Sequence, residues 1–323
     1  MRKALGLTGF LLVLVGLTVG WELAKTGSTR FATAANLRNL LTYIGLFGIL
    51  SLGQSFVIIT GGIDLSIGSV VALLGILAAD VLDKGAGWSP WIVVPGVLAL
   101  AMAIGAWHGV LVTKARMQPF VVTLCGLFFF RGIARVVSGD ETRGFGAAFP
   151  KLAWLANGFL PTSNGVLPVP FVIFMVLAVG VAAFLHLTPA GRHLFALGAN
   201  EESARFSGIR THRLKILAYV LCSGITGIGA LLLAFNINSL GPANFGSFYE
   251  LYAIAGVVLG GCSLRGGSGN ILGVVIGAAL IRVLTNLVSI LEIPSQLEYV
   301  VIGGAILLGV LLDELFTRKR YAL

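Results

Sequence analysis

The stretch TGGIDLSIGS, residues 60–69, interrupts an otherwise apolar part of the chain. It lies between the apolar runs 40–59 and 70–79, and it contains an aspartate, three glycines and several hydroxyl side chains. In hydrocarbon, irregular backbone and ionisable side chains are tolerated only where protein buries them or where they line a water-filled cavity. A second stretch, GGCSLRGGSG (residues 260–269), has a similar composition. We therefore expect the remaining helices to be arranged around two polar breaks.

The composition of the chain is that of an integral membrane protein. Of its 323 residues, 57% are hydrophobic and 11% are charged, and the mean hydropathy is +0.97. Soluble domains carry about 25% charged residues. The apolar runs are close to the roughly 20 residues that a helix needs to span a bilayer, and the alternating pattern of a membrane β-barrel is absent. These features predict an all-α, polytopic fold embedded in the lipid bilayer.

About ten membrane-spanning helices are predicted from the apolar runs, in a single domain that covers residues 1–323. The first run has no small-residue cleavage site, so we expect a retained helix rather than a removed signal peptide. A match at an offset of 199, which pairs Gly61 with Gly260, leads to the hypothesis of two pseudo-repeat halves, 1–137 and 168–323. The predicted helices are 4–23, a second that ends at 59, 70–81, 91–112, 119–137, 168–187, 214–235, 249–259, 271–291 and 296–312.

Basic residues are concentrated on one side of this predicted topology. Because cytoplasmic segments carry an excess of Lys and Arg, both termini and segment 188–213 are predicted to be cytoplasmic, and loop 138–167 external. The same distribution accounts for the formal net charge of +9, so no nucleic-acid partner is expected. Six basic residues fall in outside loops, and the twelve inside are Arg2, Lys3, Lys114, Arg116, Arg192, Arg205, Arg210, Arg213, Lys215, Arg318, Lys319 and Arg320.

Asp64 in the first break has three interpretations. Asp64 or Ser66 could cap the third helix by accepting backbone N–H groups, which the helix dipole favours. Asp64 could instead contact the substrate, or bind a proton or a sodium ion as in secondary transporters. An ion site normally uses further intramembrane carboxylates, and the sequence places the other candidate acids at the interface: Glu22, Asp80, Glu250 and Glu298.

The glycines of the second break predict backbone flexibility and tight packing rather than a nucleotide site. No Gly-Lys dipeptide is present for a Walker loop, and the spacing is not G-x-G-x-x-G. Gly273 and Gly277 are four residues apart in the ninth helix, as in close helix–helix packing. The two breaks together supply the candidate gate of a translocation path: Gly61, Gly62, Asp64, Ser66, Gly261, Ser263, Gly266 and Gly267.

A short helix is predicted on the cytoplasmic side, within residues 190–209. Asn200 is a good N-cap, two acids suit the first turn and Gly208 is a C-terminal stop, so the helix should cover about 201–207. An ordinary interfacial amphipathic helix is one interpretation. The other is a docking helix whose exposed side chains enter a partner's groove, namely Ala204, Phe206 and Ile209.

The sequence predicts neither a metal nor a redox site. The three cysteines lie in apolar segments and do not form a disulfide framework. His108 lies in the fourth helix, and the other histidines lie near the predicted cytoplasmic boundary. Arg131 is expected to snorkel near the external end of the fifth helix, with pairing to a polar ligand as the alternative. No dense cluster of polar intramembrane residues is expected.

These stretches together resemble the permease subunits of bacterial ABC-type monosaccharide importers, the ribose/xylose/arabinose/galactofuranose branch. The resemblance extends over about residues 36–313. It rests on TGGIDLSIGS (60–69), QPFVVTL (118–124) with Arg131-Gly132, GAN (198–200) with Ala204 and Gly208-Ile209, and YELYAIAGVVLGGCSLRGGSG (249–269).

The resemblance implies a subunit of the bacterial inner membrane that works with a second permease copy or a paralogue. A periplasmic sugar-binding protein would dock outside and ABC ATPase subunits inside, with ATP and Mg bound by the ATPase. This chain would then be a transport subunit for a pentose or hexose, with no catalytic residue and no cofactor of its own. Coupling to the ATPase would be carried by Gly198, Asn200, Glu201, Ala204, Arg205 and Gly208.

Two other classes of protein compete with this interpretation. An ion-coupled or facilitative secondary sugar transporter would run without ATP and would need a carboxylate ion site near mid-membrane, for which Asp64 stands alone. An intramembrane enzyme would need a catalytic pair on facing helices, and the sequence contains no convincing one. The segment that resembles a coupling helix favours the importer.

Overall fold

The computed structural model describes residues 2–83, 88–147, 149–162 and 165–294, with a few isolated positions up to 307. The predicted tenth helix, 296–312, lies mostly outside the described residues, and the basic tail lies wholly outside them. The elements are α1 (Arg2–Thr26), α2 (Ala34–Ile59), α3 (Ile67–Asp83), α4 (Pro90–Thr113), α5 (Pro119–Ser138), α6 (Pro150–Asn157), β1 (Phe159–Thr162), β2 (Gly165–Pro168), α7 (Val169–Leu187), α8 (Pro189–Ala199), α9 (Glu201–Phe206), α10 (Thr211–Ile237), α11 (Tyr249–Leu259) and α12 (Ile271–Ile290).

The helices confirm a polytopic membrane architecture. Within the described part of the chain, six helices are long and apolar enough to cross a bilayer: α2, α4, α5, α7, α10 and α12. Helices α3 and α11 are apolar but shorter, with 17 and 11 residues. Each of these short helices adjoins one of the two polar breaks. The all-α prediction needs one correction, because β1 and β2 form a small antiparallel hairpin that pairs Phe159 with Pro168.

Helix α2 is the centre of the molecule. It contacts α7, α10, α11 and α12, and 89% of its most apolar window is buried. Small residues allow the close packing that replaces a hydrophobic driving force inside membranes. Between α4 and α10, for example, a Cβ atom at Gly109 would lie 2.6 Å from Ile216 Cα. The predicted packing role of Gly273 and Gly277 is confirmed, because both lie against the backbone of α11 or of the residue after it.

After α10 the chain turns back along α3 instead of continuing outward. Gly246 packs against Gly68 in the first turn of α3, and α11 begins three residues later. Arg131 on α5 fixes this return by donating hydrogen bonds to the carbonyl oxygens of Pro242, at 3.1 Å, and of Phe245. The half-buried Arg131 side chain therefore bonds to the backbone between α10 and α11 rather than extending to the membrane surface, which corrects the snorkelling prediction.

Glu250 in the first turn of α11 is buried within the protein. Its carboxylate lies against Gly68, close enough that a side chain at that glycine would collide with it. The reason is the short α11, which starts beside the beginning of α3 rather than at the end of a full-length span. Glu250 thus connects the starts of two helices.

The segment that follows α5 is fastened to the end of α10. Arg135 donates two hydrogen bonds to Asp140, at 2.9 and 2.6 Å, and these hydrogen bonds lower the pKa of the Asp140 carboxyl. The Phe145 ring stacks on Phe235 with centroids 3.9 Å apart. The loop between α5 and α6 is therefore ordered by specific contacts.

Candidate functional site

The first polar break starts with a glycine stop of the Schellman type. Helix α2 ends at Ile59, and Gly61 adopts the left-handed conformation with φ of 78°. Its N–H donates to the carbonyl of Ile58 at 2.9 Å, and the N–H of Gly62 donates to the carbonyl of Val57 at 3.0 Å. Glycine is the residue that takes this conformation without steric cost. The sequence therefore ends α2 at this point.

The second break repeats the same geometry. Helix α11 ends at Leu259, and Gly261 is left-handed with φ of 86°. The N–H of Gly261 donates to the carbonyl of Val258 at 2.9 Å, and that of Cys262 donates to the carbonyl of Val257 at 3.1 Å. The two breaks therefore begin with the same helix-terminating conformation.

The structural match between the breaks corrects the predicted offset. The left-handed glycines are Gly61 and Gly261, so equivalent positions are 200 residues apart rather than 199. Each break also ends with an acidic or amide side chain before the next helix. Asp64 accepts from the N–H two residues later at 2.8 Å, and Asn270 does the same at 3.0 Å. The offset of 199 aligned identical residue types, whereas the offset of 200 aligns the glycines that share the left-handed conformation.

Four glycines bring both breaks together with the end of α8; we call Gly61, Gly198, Gly266 and Gly267 the glycine junction. The N–H of Gly267 donates to the carbonyl of Ile59 at 2.9 Å. A Cβ atom at Gly266 would lie 2.7 Å from the Gly61 nitrogen and 2.8 Å from the Gly198 oxygen. A Cβ atom at Gly198 would collide with the Ile59 carbonyl. Three segments that are distant in sequence therefore touch through bare backbone.

The predicted short helix next to this junction is confirmed with its caps. Helix α9 covers Glu201–Phe206, and the Asn200 side chain accepts from the N–H of Ser203 at 2.9 Å. Gly208 is left-handed, with φ of 81°, and its N–H donates to the Arg205 carbonyl at 3.0 Å. The preceding helix α8 is not among the predicted helices, although Thr188 and Pro189 are a good N-cap and N1 pair.

The surface of α9 differs from the prediction at one residue. Ala204 is buried, with 5% exposure, because the chain folds back over it and the N–H of Ile209 donates to its carbonyl at 3.1 Å. Phe206 is 79% exposed, as expected of a docking residue, and Ile209 is half-buried. Glu201 forms an ion pair of 2.6 Å with Lys215 on α10. The exposed Arg205 guanidinium lies 5.9 Å from the Phe206 ring centroid.

Asp64 and Ser66 lie at the start of α3 and outside the glycine junction. The buried Asp64 carboxylate accepts from the Ser66 N–H at 2.8 Å and from the Ser66 hydroxyl at 2.6 Å. The Ser66 carbonyl in turn accepts the N–H of Val70 at 2.8 Å. Asp64 therefore stabilises the turn that leads into α3 by accepting the Ser66 N–H, one residue before the helix begins, which is close to the capping interpretation. Ser263 has a similar local role, since its hydroxyl accepts from the Arg265 N–H at 3.2 Å in the second break.

A cluster of buried polar side chains between α2, α4 and α10 was not expected. Four of its members lie on one face of α10, at the spacing i, i+3, i+4 and i+7 within an apolar span. That spacing is visible in the sequence and could have revealed the cluster. We call it the polar seam, and it consists of Gln54, His108, Tyr219, Cys222, Ser223 and Thr226, all buried.

The polar seam also holds the first break in place. The Tyr219 hydroxyl donates to the carbonyl of Ile63 at 3.3 Å. Thr123 on α5 donates to the same carbonyl at 3.3 Å. Among the described residues, no group of three His, Cys, Asp or Glu side chains could hold a metal ion. The seam therefore offers hydrogen-bonding groups rather than a metal centre.

Comparison with known proteins identifies the family. A family profile described as "Branched-chain amino acid transport system / permease component" matches residues 36–311. The chain belongs to this family. The match includes both polar breaks, the glycine junction and the α8–α9 segment of the permease. No solved structure matches the permease.

The relatives of the permease include named sugar permeases. It is 37% identical over 303 residues to the ribose import permease protein of Escherichia coli K12, covering 93% of this chain and 92% of that protein. It is 36% identical over 294 residues to the ribose import permease protein of Bacillus subtilis 168, with 88% and 86% covered. The xylose transport system permease protein of Escherichia coli K12 is 28% identical over 375 aligned residues, with 98% and 94% covered.

Proposed function

We propose that this permease is the membrane-spanning subunit of an ABC-type importer that moves a monosaccharide into a bacterial cell. Ribose and xylose import are the activities named for its relatives, and they support a pentose or hexose as the substrate. The observation that carries the proposal is the contact of the α8–α9 segment with both polar breaks at the glycine junction. A surface that can receive a partner is thereby connected to the candidate gate.

The proposal includes partners on both faces of the inner membrane. ATPase subunits, which would bind ATP and Mg, receive α9 on the cytoplasmic face, and a periplasmic sugar-binding protein delivers sugar to the other face. A second permease copy or a paralogue completes the pathway. About ten spans with both termini in the cytoplasm fit this arrangement, because basic side chains surround α9.

In the proposed mechanism, ATP binding moves α9 and the motion reaches the gate through backbone contacts. The ion pair between Glu201 and Lys215 ties the start of α9 to α10, while Ala199 at the end of α8 lies against Gly267. A shift of α9 therefore displaces both breaks together. Interrupted helices are common places for such rearrangements in transporters.

Within the proposed gate, the glycines and the polar side chains of the two breaks have different roles. Gly61, Gly62, Gly261, Gly266 and Gly267 would supply the backbone positions that rearrange. Asp64, Ser66 and Ser263 would keep the start of the following segment ordered during this movement, since each is engaged in a local hydrogen bond. Sugar is held mainly by the binding protein, so the gate needs only weak contacts with it.

Phe206 offers a direct test of docking. An exposed aromatic side chain that enters a partner's groove contributes about 2 kcal/mol or more, and its loss then weakens binding about thirtyfold. We expect Phe206→Ala to lower co-purification of the ATPase and sugar uptake in proteoliposomes. Phe128→Ala is the matched control, since Phe128 is 69% exposed on α5, away from α9. Wild-type levels of both readouts in Phe206→Ala would contradict the docking role.

A further inference from the structure

His108 on α4 is fully buried, and neither of its ring nitrogens has a hydrogen-bond partner among the residues that the structure describes. The Nε2 atom of Gln54, across the polar seam, is in the same state. Buried polar groups are nearly always hydrogen-bonded, and an imidazole always carries at least one N–H donor. A residue that only filled space here would be apolar, so the imidazole calls for a partner.

The imidazole is surrounded by aromatic rings and lies close to Ser66. The rings of Trp107, Phe130 and Tyr219 enclose it, with centroids 5.3, 5.6 and 6.3 Å away. Its Nε2 atom faces Gly126 on α5, 2.6 Å from the point where a Cβ atom would stand, and Ser66 Cβ lies 3.3 Å from the same point. His108 is thus next to the start of α3.

Asp64 and Ser66 are bonded to each other in this conformation. The Ser66 hydroxyl and N–H both donate to one carboxylate oxygen of Asp64. Since Ser66 Cβ and the imidazole Nε2 both lie close to the same point beside Gly126, the Asp64 carboxylate that is bonded to Ser66 is also near the imidazole. His108 therefore adjoins a hydrogen-bonded pair that it does not join.

The two sides of this contact belong to different parts of the permease. Helix α4 packs closely on α10 through Gly105 and Gly109, so His108 moves with those helices. Asp64 and Ser66 belong to the first break, which contacts α8 at the glycine junction. The Tyr219 and Thr123 hydrogen bonds to the Ile63 carbonyl, both 3.3 Å, join the break to α10 and α5 in this conformation and would break when the pair moves. A small displacement of the break relative to α4 would bring the Asp64–Ser66 pair to the imidazole, because the two already approach each other at Gly126, which has no side chain to separate them.

We propose that His108 is a positioning residue of the gate. It has no hydrogen bond in the conformation described here, and it bonds to the Asp64–Ser66 pair in the other conformation of the transport cycle. The imidazole then favours that second conformation by one charge-assisted hydrogen bond, which is a differential interaction of the kind that shifts a two-state equilibrium. This inference rests on the proposed transport function.

The test compares His108→Leu with His108→Gln in the complete transporter reconstituted in proteoliposomes. Leu removes a group that has no partner in the present conformation, so the melting temperature of the nucleotide-free complex should stay level or rise. Uptake should fall about tenfold, since the second conformation loses a hydrogen bond to a charged group. Gln retains a donor and should restore uptake to within about threefold of wild type.

Trp107→Leu is the control for repacking, because it changes the same surroundings and leaves the imidazole intact. Uptake by Trp107→Leu should stay near the wild-type rate. If His108→Leu lowers stability and uptake together and Gln gives no rescue, His108 has a structural role only and the inference is overturned. Normal uptake by His108→Leu would overturn it as well. Wild-type uptake that survives ATP depletion would instead refute the importer, independently of the His108 variants.

Discussion

At the scale of single residues, the glycine junction depends on the absence of side chains. Gly198 is in contact with the Ile59 carbonyl, and the Gly267 nitrogen would be 2.5 Å from its Cβ atom. Backbone atoms on both sides cannot withdraw as a flexible side chain could. The junction is therefore intolerant of even one methyl group.

We expect Gly198→Ala to destabilise the permease by about 1–3 kcal/mol, as overpacking of a close contact does. Sugar uptake should fall, because the contact between α8 and the breaks is forced apart. Thermal unfolding in detergent and uptake in proteoliposomes measure the two effects. Gly180→Ala on α7 is the control, since nothing lies within 4 Å of a Cβ atom there. Equal behaviour of the two variants would show that the junction is loose.

Two substitutions of Asp64 distinguish a capping role of this residue from a role as an ion site. Asparagine retains an oxygen that can accept the Ser66 N–H, whereas leucine does not. The cap therefore predicts that Asp64→Asn keeps its melting temperature and loses no more uptake than the roughly tenfold expected from the charged bond to His108, while Asp64→Leu loses about 0.5–2 kcal/mol of stability. Melting curves and uptake assays of both variants are the measurement. Abolished uptake in a stable Asp64→Asn protein would favour an ion site.

At the scale of elements, α9 is a short helix held by its two ends. Six residues are too few to be stable alone, so Asn200, Gly208 and the ion pair to α10 maintain it. Its attachment to α10 gives the helix a fixed pivot. Changes at this pivot should affect coupling more than folding.

Charge reversal at Glu201 tests the pivot. Glu201→Lys places two cations together at Lys215 and also opposes the helix dipole, although an exposed pair contributes only about 0.2–1 kcal/mol to stability. We expect a small change in melting temperature and a loss of coupling between ATP hydrolysis and uptake. Glu202→Lys is the control, because Glu202 shares the first turn but forms no ion pair with α10 among the described residues. Restored uptake in Glu201→Lys with Lys215→Glu would identify the ion pair as the cause, and a failed rescue would exclude it.

At the scale of the whole molecule, the candidate gate and the proposed coupling segment meet at the glycine junction. Under the proposed function, the energy for transport comes from a separate ATPase subunit. The exposed face of α9 and the exposed side chain of Phe248 at the start of α11 are consistent with a chain that works inside an assembly. The composition of that assembly is directly measurable.

We expect the tagged permease, purified from its native host in mild detergent, to carry an ATPase with it. The stoichiometry by mass should show two permease chains per complex, either two copies or this chain with a paralogue. Uptake should stop when ATP is depleted. An oligomer of this chain alone, with uptake that continues without ATP, would support a secondary transporter instead.

Local patterns determined much of this protein from the sequence. The apolar spans, the glycine stops of α2 and α11, and the caps of α9 were all predictable, because each depends on hydropathy or on hydrogen bonds between residues a few positions apart. The family followed from the same stretches, since TGGIDLSIGS and the second break are its distinctive parts.

Tertiary structure alone decided what these local devices contact. The sequence could not place Gly198 against Ile59, bury Glu250 at Gly68 or set His108 beside Ser66, because such contacts depend on the rotation and depth of each helix. Hydrophobicity on most sides of a buried helix leaves its rotation undetermined, and the packing of small residues then fixes it. For the same reason the exposed face of α9 was predicted with Ala204 outward, although the fold turns it inward.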